Sequence, residues 1–183
     1  FPHMTVFDNI AYPLKIKKIR KEEIKIRVKQ LAENTDISNL LHRDITNLSG
    51  GEAQRVTIAR TLATSPDVLL LDEPLSFLDV QLRKEMLSLL RKLNQNGQTI
   101  IHVTHDYEEA LALANKIAII ENGTIIQTGS PQEVFQNPKS AFIANFIGIK
   151  NFYKGRTYFS EDNSKLKIFE TTGIIIYIIA EEE

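Results

Sequence analysis

The apolar and polar positions along the chain predict helices that alternate with short strands. Apolar residues recur at helical spacing after Thr5, which can cap the first helix, and again over about Lys21–Asn34. Val68–Asp72 and Thr99–Val103 are compact apolar runs typical of strands, and a helix of about Val80–Asn94 lies between them. This order of elements favours a parallel sheet. Because Val68–Asp72 is almost entirely apolar, we expect it to be buried at the centre of that sheet.

The pattern changes in the last third of the chain. Asn122-Gly123 lies between two apolar runs and is a strong hairpin signal. Ser130, followed by Pro131 and Glu133, predicts the start of a short helix. Further strands are expected at residues 152–159, 166–169 and 173–179, with turns at 161–164 and near 171–173. Because helices are no longer predicted between these strands, we expect a domain boundary near Gly148–Asn151.

Composition and charge change this picture little. The chain has 183 residues, of which 43% are hydrophobic and 25% charged, and its net charge is −1. It has no cysteine, which excludes disulfides and thiolate chemistry. No apolar run approaches the roughly 18 residues that span a bilayer. The basic stretch Lys15–Lys29 is interrupted by Glu22 and Glu23, which favours a solvated helix face over a nucleic-acid patch.

The stretch Leu48–Arg55, with the sequence LSGGEAQR, carries the first chemical signal. Ser49 with Glu52 three residues later has the form of a capping box, so a helix is expected to start here. The start of a helix offers free backbone N–H groups and the positive end of the helix dipole. This stretch is therefore suited to binding phosphate.

Acidic and imidazole side chains follow the two predicted strands. Asp72 and Glu73 end the first strand, and His105 follows the second, at the edge where parallel sheets bind ligands. One carboxylate can hold Mg²⁺, and the other can orient or deprotonate an attacking water. The alternatives are an acidic pair that caps the next element and a buried, hydrogen-bonding His105. Asp79 is most simply a helix N-cap.

In combination these segments resemble the nucleotide-binding subunit of ATP-binding cassette (ABC) transporters. Four segments match motifs of that family, in its order: the signature (Leu48–Arg55), the Walker B strand with its glutamate (Val68–Glu73), the D-loop (Ser76–Asp79) and the switch-histidine segment (Val103–Asp106). The signature carries Glu52 where many members have glutamine, and Phe77 is an uncommon occupant of the D-loop. The resemblance covers about Phe1–Gly148.

The resemblance implies the fold class. Residues 1–148 are expected to form part of an α/β, ABC-type P-loop NTPase module. Within it, a helical subdomain would occupy about residues 5–50 and a parallel-sheet core residues 51–148. Residues 149–183 are similar to the first strands of the small, TOBE-like β-barrel that follows this module in importer ATPases.

The resemblance also implies a site that two subunits share. Two modules would form a head-to-tail homodimer around two ATP molecules with Mg²⁺. The signature residues Ser49, Gly50, Gly51 and Glu52 would approach the γ-phosphate of an ATP held mainly by the partner subunit. The remaining roles would fall to Glu73 as general base, Asp72 as a Mg²⁺ ligand directly or through water, His105 as a γ-phosphate contact and Asp79 across the dimer interface.

The first residues resemble the importer segment that faces the membrane subunits. Phe1, Met4, Val6 and Phe7 are expected to offer exposed apolar surface beside a helix start. They are candidates for contact with the coupling helix of the transmembrane permease subunits, although ordinary helix packing explains any one of them equally well. The protein would then be peripheral, on the cytoplasmic face of the membrane. Importers with a trailing β-barrel carry oxyanions, sugars, polyamines or ferric ions. The run Phe142–Lys154 looks most like molybdate/tungstate importers, with sulfate second.

One motif of the family does not occur in the chain. None of the eight glycines is followed by lysine, so the 183 residues contain no GxxxxGK[ST] segment. We therefore expect that this chain as given binds ATP poorly and does not hydrolyse it. Because it starts at Phe1 and stops just after an apolar strand, we also expect it to be part of a longer protein. The alternatives are a non-catalytic remnant that only occupies an interface, or a non-transport ABC ATPase of DNA repair or ribosome function.

Overall fold

The computed structural model describes residues 1–151, 153–160 and 166–179, and it confirms an α/β fold. The helices are α1 (Val6–Ile16), α2 (Lys21–Asn34), α3 (Gly50–Leu62), α4 (Val80–Gln95), α5 (Tyr107–Leu113), α6 (Pro131–Gln136) and α7 (Ala141–Phe146). The strands are β1 (Val68–Asp72), β2 (Thr99–Val103), β3 (Ile117–Glu121), β4 (Thr124–Gly129), β5 (Arg156–Phe159), β6 (Leu166–Thr171) and β7 (Ile174–Ile179). The chain divides into two compact units, Phe1–Asn115 and Lys116–Glu183. The predicted boundary near residue 148 stays a prediction.

The first three helices share an apolar core, here called the helical cluster. Thr5 caps α1 as predicted, since its hydroxyl oxygen accepts a hydrogen bond from the Asp8 N–H at 3.2 Å. The buried members of the helical cluster are Val6, Ile10, Ala11, Leu14, Ile24, Val28, Ala32, Ile37, Leu40, Val56, Ala59 and Ala63. Helix α3 also sends Ile58 into a second core around the sheet, so it connects the two.

The segment before α1 is held by a buried amide. Asn9 donates hydrogen bonds from Nδ2 to the carbonyl oxygens of Phe1 at 3.1 Å and Thr5 at 3.0 Å. Phe1 is 43% exposed, whereas Met4 and Phe7 are half-buried. The expectation of exposed apolar surface is wrong for Val6, which is fully buried because the helical turn points it into the helical cluster.

Strands β1 and β2 form a parallel pair in register, with Val68 opposite Thr99 and Asp72 opposite Val103. Because side chains alternate along a strand, one face carries Leu69, which packs against α4, and the other carries Leu70. Leu70 is 70% exposed, so the expectation that β1 is buried at the centre of the sheet is wrong on this face. Within the described residues, β1 pairs with β2 alone.

The second unit is built around antiparallel pairs. Strands β3 and β4 form the predicted hairpin, and Asn122 and Gly123 both take the positive φ angles, 49° and 77°, that a tight turn of this kind requires. The Ser130–Glu133 capping box at α6 is confirmed. Strands β5, β6 and β7 form an antiparallel sheet in that order. Phe152 and the turn predicted at residues 161–164 lie outside the described residues.

Two expectations about the helices can be checked directly. Helix α2 has the predicted bounds, and α4 is capped by Asp79 and ends one residue later than predicted. Among the described residues, no helix is both long and apolar enough to cross a membrane.

Replacing Ile10 with alanine tests the helical cluster. Ile10 is fully buried, so the change removes its apolar contacts and leaves a cavity. We expect the free energy of unfolding, measured by urea denaturation, to fall by about 2–5 kcal/mol. The matched control is Ile16→Ala in the same helix, where the side chain is 64% exposed and the loss should stay within about 0.5 kcal/mol. Equal losses in the two variants would contradict this packing.

Candidate nucleotide site

The start of α3 has the capping geometry that the sequence predicts. The Ser49 Oγ accepts a hydrogen bond from the Glu52 N–H at 3.2 Å, and the Glu52 carboxylate accepts one from the Ser49 N–H at 2.8 Å. Both halves of the capping box are therefore present. The first N–H groups of any helix lack an acceptor within it, so this end retains donors for an anion. The carboxylate of Glu52 places a negative charge beside them.

The two glycines of the signature have different surroundings. A Cβ built on Gly50 has no atom within 4 Å, so the backbone there is open to a ligand. A Cβ built on Gly51 would lie 2.9 Å from a terminal methyl group of Leu82, near the start of α4. Gly50 therefore leaves room for close approach, whereas Gly51 lets helices α3 and α4 pack closely.

Glu73 and His105, predicted from separate segments, lie together. The Nδ1 atom of His105 is 2.8 Å from one carboxylate oxygen of Glu73, and the Ser76 hydroxyl donates to the other at 3.0 Å. The Glu73 N–H donates to the Val103 carbonyl oxygen at 2.9 Å, which extends the pairing of β1 and β2 by one residue. The alternative of a buried His105 is wrong, because its side chain is 75% exposed.

The backbone of Glu73 is strained. Its φ angle is 43°, in the left-handed region, which costs a residue other than glycine about 1 kcal/mol or more. The hydrogen bond to Val103 and a second one from the Ser76 N–H to the Glu73 carbonyl oxygen, at 3.2 Å, hold this conformation. The strained turn directs the Glu73 side chain away from the strand toward His105.

Glu73 and His105 shift each other's pKa in opposite directions. The hydrogen bond from His105, and then that from Ser76, hold the pKa of Glu73 below its ordinary value. The hydrogen bond and negative charge of Glu73 raise the pKa of His105. An ionised carboxylate can only accept hydrogen bonds, so in this pair the proton lies on Nδ1 of His105. The Nε2 atom stays available to a ligand.

Asp72 and Asp79 flank this pair in the sequence. Asp72 is exposed at the end of β1. Asp79 caps α4, since one of its oxygens accepts from the N–H groups of Gln81 and Leu82, both at 2.9 Å. The N-cap interpretation of Asp79 is thus confirmed. Phe77, two residues earlier, is fully exposed and has a φ angle of 70°.

The residues present fit a shared Mg²⁺ site. In the part of the chain that the structure describes, no three His, Cys, Asp or Glu residues are grouped in a way that would hold a metal ion by themselves. Mg²⁺ commonly takes only one or two protein carboxylates and completes its shell with phosphate oxygens and water. The exposed carboxylate of Asp72 has the chemistry that such a site requires.

A group of side chains that the sequence analysis missed lies behind His105. This polar cluster consists of Arg83, His102, Thr104, Asp106 and Glu109. Its centre is Glu109, only 4% exposed, which accepts from the Thr104 hydroxyl at 2.7 Å and from Arg83 Nε at 3.1 Å. The only signals in the sequence are an arginine one turn after Asp79 and an acidic residue within a short, mostly apolar helix.

Comparison with known proteins agrees with the motifs. The family model described as ABC transporter matches residues 1–76. The chain is 49% identical over 156 residues to a spermidine/putrescine import ATP-binding protein of Clostridium novyi, covering 85% of the chain and 45% of that protein. It is 46% identical to a molybdate/tungstate import ATP-binding protein of Pyrococcus horikoshii, with the same coverage of 85% and 45%.

A third relative aligns with the whole chain. It is a spermidine/putrescine import ATP-binding protein of Trichormus variabilis, 44% identical over 100% of the chain and 48% of its own length. The chain therefore spans about half the length of the curated relatives it matches. The names of these relatives include two different cargoes, polyamines and oxyanions.

Exchanging Glu73 for glutamine tests the electrostatic pair. The change removes the negative charge that favours the His105 cation, so we expect the pKa of His105 to fall toward its ordinary value. The measurement is a pH titration of the histidine ring signals by NMR. Glu33→Gln, an exposed carboxylate at the end of α2, is the control and should leave the titration of His105 in place. An unchanged pKa in Glu73→Gln would show that the two side chains do not pair in solution.

Proposed function

Because this chain belongs to the ABC transporter family, we propose that it is part of an ATP-binding and ATP-hydrolysing subunit of an importer, which couples hydrolysis to solute uptake. The single observation that carries the proposal is the 2.8 Å pairing of Glu73 with His105 at the carboxyl end of a parallel strand pair. Ligands bind at this edge in open α/β sheets. A non-catalytic remnant has no need of a strained Glu73 in this position.

The proposed site is completed by a second subunit in a head-to-tail homodimer. The residues that would contact the ATP bound by the partner subunit are Ser49, Gly50, Gly51 and Glu52. The open surroundings of Gly50 and the free N–H groups at the start of α3 support contact with phosphate oxygens. Asp79 and the fully exposed Phe77 would lie at the dimer interface, where the exposed aromatic ring would be covered.

The proposed reaction is attack of water on the γ-phosphorus of ATP. Glu73 accepts a proton from the water as its oxygen forms the new bond to phosphorus, and the bond from the γ-phosphorus to the bridging oxygen of ADP breaks. Each carboxylate oxygen of Glu73 accepts one side-chain hydrogen bond in this structure and keeps a second lone pair that can accept one from the attacking water. The Nε2 atom of His105 would contact the γ-phosphate while Nδ1 stays on Glu73.

Asp72 would hold Mg²⁺, directly or through water. When bound, Mg²⁺ neutralises charge that develops on the phosphate oxygens. The protein contributes mainly positioning and charge stabilisation to such a reaction.

A groove between α1 and α2 supports contact with a membrane subunit. The cavity, of about 430 Å³, is lined by Phe7, Asp8, Lys15, Ile19, Lys21, Ile24 and Lys25. Its floor is apolar and its rim carries three lysines against one aspartate, which suits an amphipathic helix with acidic residues. We propose that the coupling helix of the transmembrane permease docks here, with Phe1 and Met4 alongside. The protein would be peripheral on the cytoplasmic face of the membrane, with no nucleic-acid partner.

We propose the cargo first as a broad class of solute and then as a particular one. The coarser proposal is a small solute taken up with permease subunits. The finer one keeps the molybdate/tungstate preference from Phe142–Lys154, and the polyamines named for relatives of similar identity are the competing cargo. The proposed domains are an ABC ATPase portion over residues 1–148 and the beginning of a TOBE-like β-barrel over residues 149–183.

A chimera tests the catalytic proposal. In it, this chain replaces the matching region of the Clostridium novyi relative. We expect the chimera to hydrolyse ATP, and the 183-residue chain alone to bind ATP weakly and not to hydrolyse it, because it carries no GxxxxGK[ST] motif. Glu73→Gln in the chimera should lower kcat by about 10²–10⁴-fold, the usual contribution of a general base, while ATP stays bound.

The control for the chimera is Glu33→Gln, which should retain full turnover. Normal hydrolysis by the Glu73→Gln chimera would remove Glu73 from its assigned role. Tight ATP binding by the 183 residues alone would overturn the expectation for the isolated chain.

Cargo is tested by stimulation of ATPase activity. The chimera, together with permease and binding-protein partners of each relative in turn, is exposed to molybdate, tungstate, sulfate, spermidine and putrescine. We expect molybdate and tungstate to stimulate hydrolysis with the oxyanion partners. Coupling only to the polyamine partners, with stimulation by spermidine or putrescine, would overturn the oxyanion preference and leave the importer proposal in place.

A further inference from the structure

The turn that carries His105 is held on its inner side by the residues next to it. Its neighbours Thr104 and Asp106 belong to the polar cluster, whereas the His105 side chain lies on the other side and is 75% exposed. The Thr104 hydroxyl donates to Glu109 at 2.7 Å and accepts from the Asp106 N–H at 3.0 Å. The position of His105 therefore depends on what holds its two neighbours.

The polar cluster is closed by Arg83. Its guanidinium group makes ion pairs with both Asp106 and Glu109, and these contacts raise the pKa of Arg83 above its ordinary value. Glu109 is 4% exposed, and Arg83 is the one arginine or lysine that pairs with it among the described residues. His102 lies 3.2 Å from Glu109 through Nε2, and its buried Nδ1 has no hydrogen-bond partner in the described part of the chain. Without Arg83, two carboxylates would face each other with no arginine between them.

The backbone of Arg83 also bonds to Asp79. The Arg83 N–H donates to the Asp79 carbonyl oxygen at 2.8 Å, which is the first backbone hydrogen bond of α4. The backbone of Arg83 is thus bonded to the capped start of α4, and its side chain is bonded to the turn after β2 and to Glu109. A planar guanidinium group that binds two carboxylates permits little rotation of either partner.

We propose that Arg83 is a positioning residue of the site: its ion pairs with Asp106 and Glu109 lock the turn after β2 to helix α4, and this lock holds His105 against Glu73. The proposal rests on the proposed function for its importance, but its geometry can be tested without nucleotide. Arg83 itself contacts neither Glu73 nor His105 in the hydrogen bonds and ion pairs of the described residues, so it acts through the turn.

The test reads the hydrogen bond of His105 directly. In the ¹⁵N-labelled 183-residue chain, at a pH above the titration of His105, the neutral ring should carry its proton on Nδ1, because Glu73 accepts it there. Ring ¹⁵N shifts distinguish this tautomer from an unrestrained imidazole, in which the two tautomers interconvert. We expect Arg83→Gln to lose the Nδ1–H signature while the chain stays folded.

The matched control is Arg91→Gln. Arg91 lies on the same helix and also bridges α4 to α5, donating from Nε to the Ala112 carbonyl oxygen at 3.1 Å, but it contacts no residue of the polar cluster. This control should keep the Nδ1–H signature of His105. A folded Arg83→Gln chain with the same signature as the unmodified chain would overturn the proposal.

A second variant decides the outcome if Arg83→Gln does not fold. Arg83→Lys keeps the positive charge but cannot hold both carboxylates in one planar group, so we expect a partial loss of the Nδ1–H signature. A full signature in Arg83→Lys would overturn the proposal. These spectra are recorded without ATP, so they test the role of Arg83 alone. The ATPase proposal is tested separately, by hydrolysis in the chimera.

Discussion

The proposed site depends on the in-register pairing of two parallel strands. Asp72 lies opposite Val103, and one further backbone hydrogen bond joins the Glu73 N–H to the Val103 carbonyl oxygen. The two strands therefore end level, and the residues just beyond them meet. A register shifted by one residue would turn every side chain of one strand to the opposite face. It would also separate Glu73 from His105, although their positions in the sequence would be unchanged.

Two groups of charges lie on opposite sides of the turn after β2. On the outer side Glu73 and His105 form an exposed pair, which water and ligands can reach. On the inner side Glu109 is buried and compensated by Arg83. Exposed pairs contribute little to stability, whereas a buried carboxylate that loses its partner is costly. The outer pair is consequently free to exchange partners during a reaction, and the inner one is suited to stay fixed.

Local features could be predicted from the sequence. The bounds of α2, the caps of α1 and α4 and both capping boxes were predicted correctly, because each depends on residues within one or two turns. The burial of Val6 and of β1 was predicted wrongly, since burial depends on which elements cover a face. The ion pair between Arg83 and Glu109 spans 26 residues, and no periodicity in the sequence indicates it.

The packing of Gly51 against Leu82 sets the clearance between the two helices that begin near the site. Leu82 is not free to retreat as a whole, because its backbone N–H is held by Asp79 at 2.9 Å. A methyl group at position 51 would lie 2.9 Å from the end of the half-buried Leu82 side chain, which would have to turn aside. Rotation of Leu82 would thus absorb a small side chain at position 51, and only a bulkier one would press on the backbone that Asp79 caps, whether or not a nucleotide is bound.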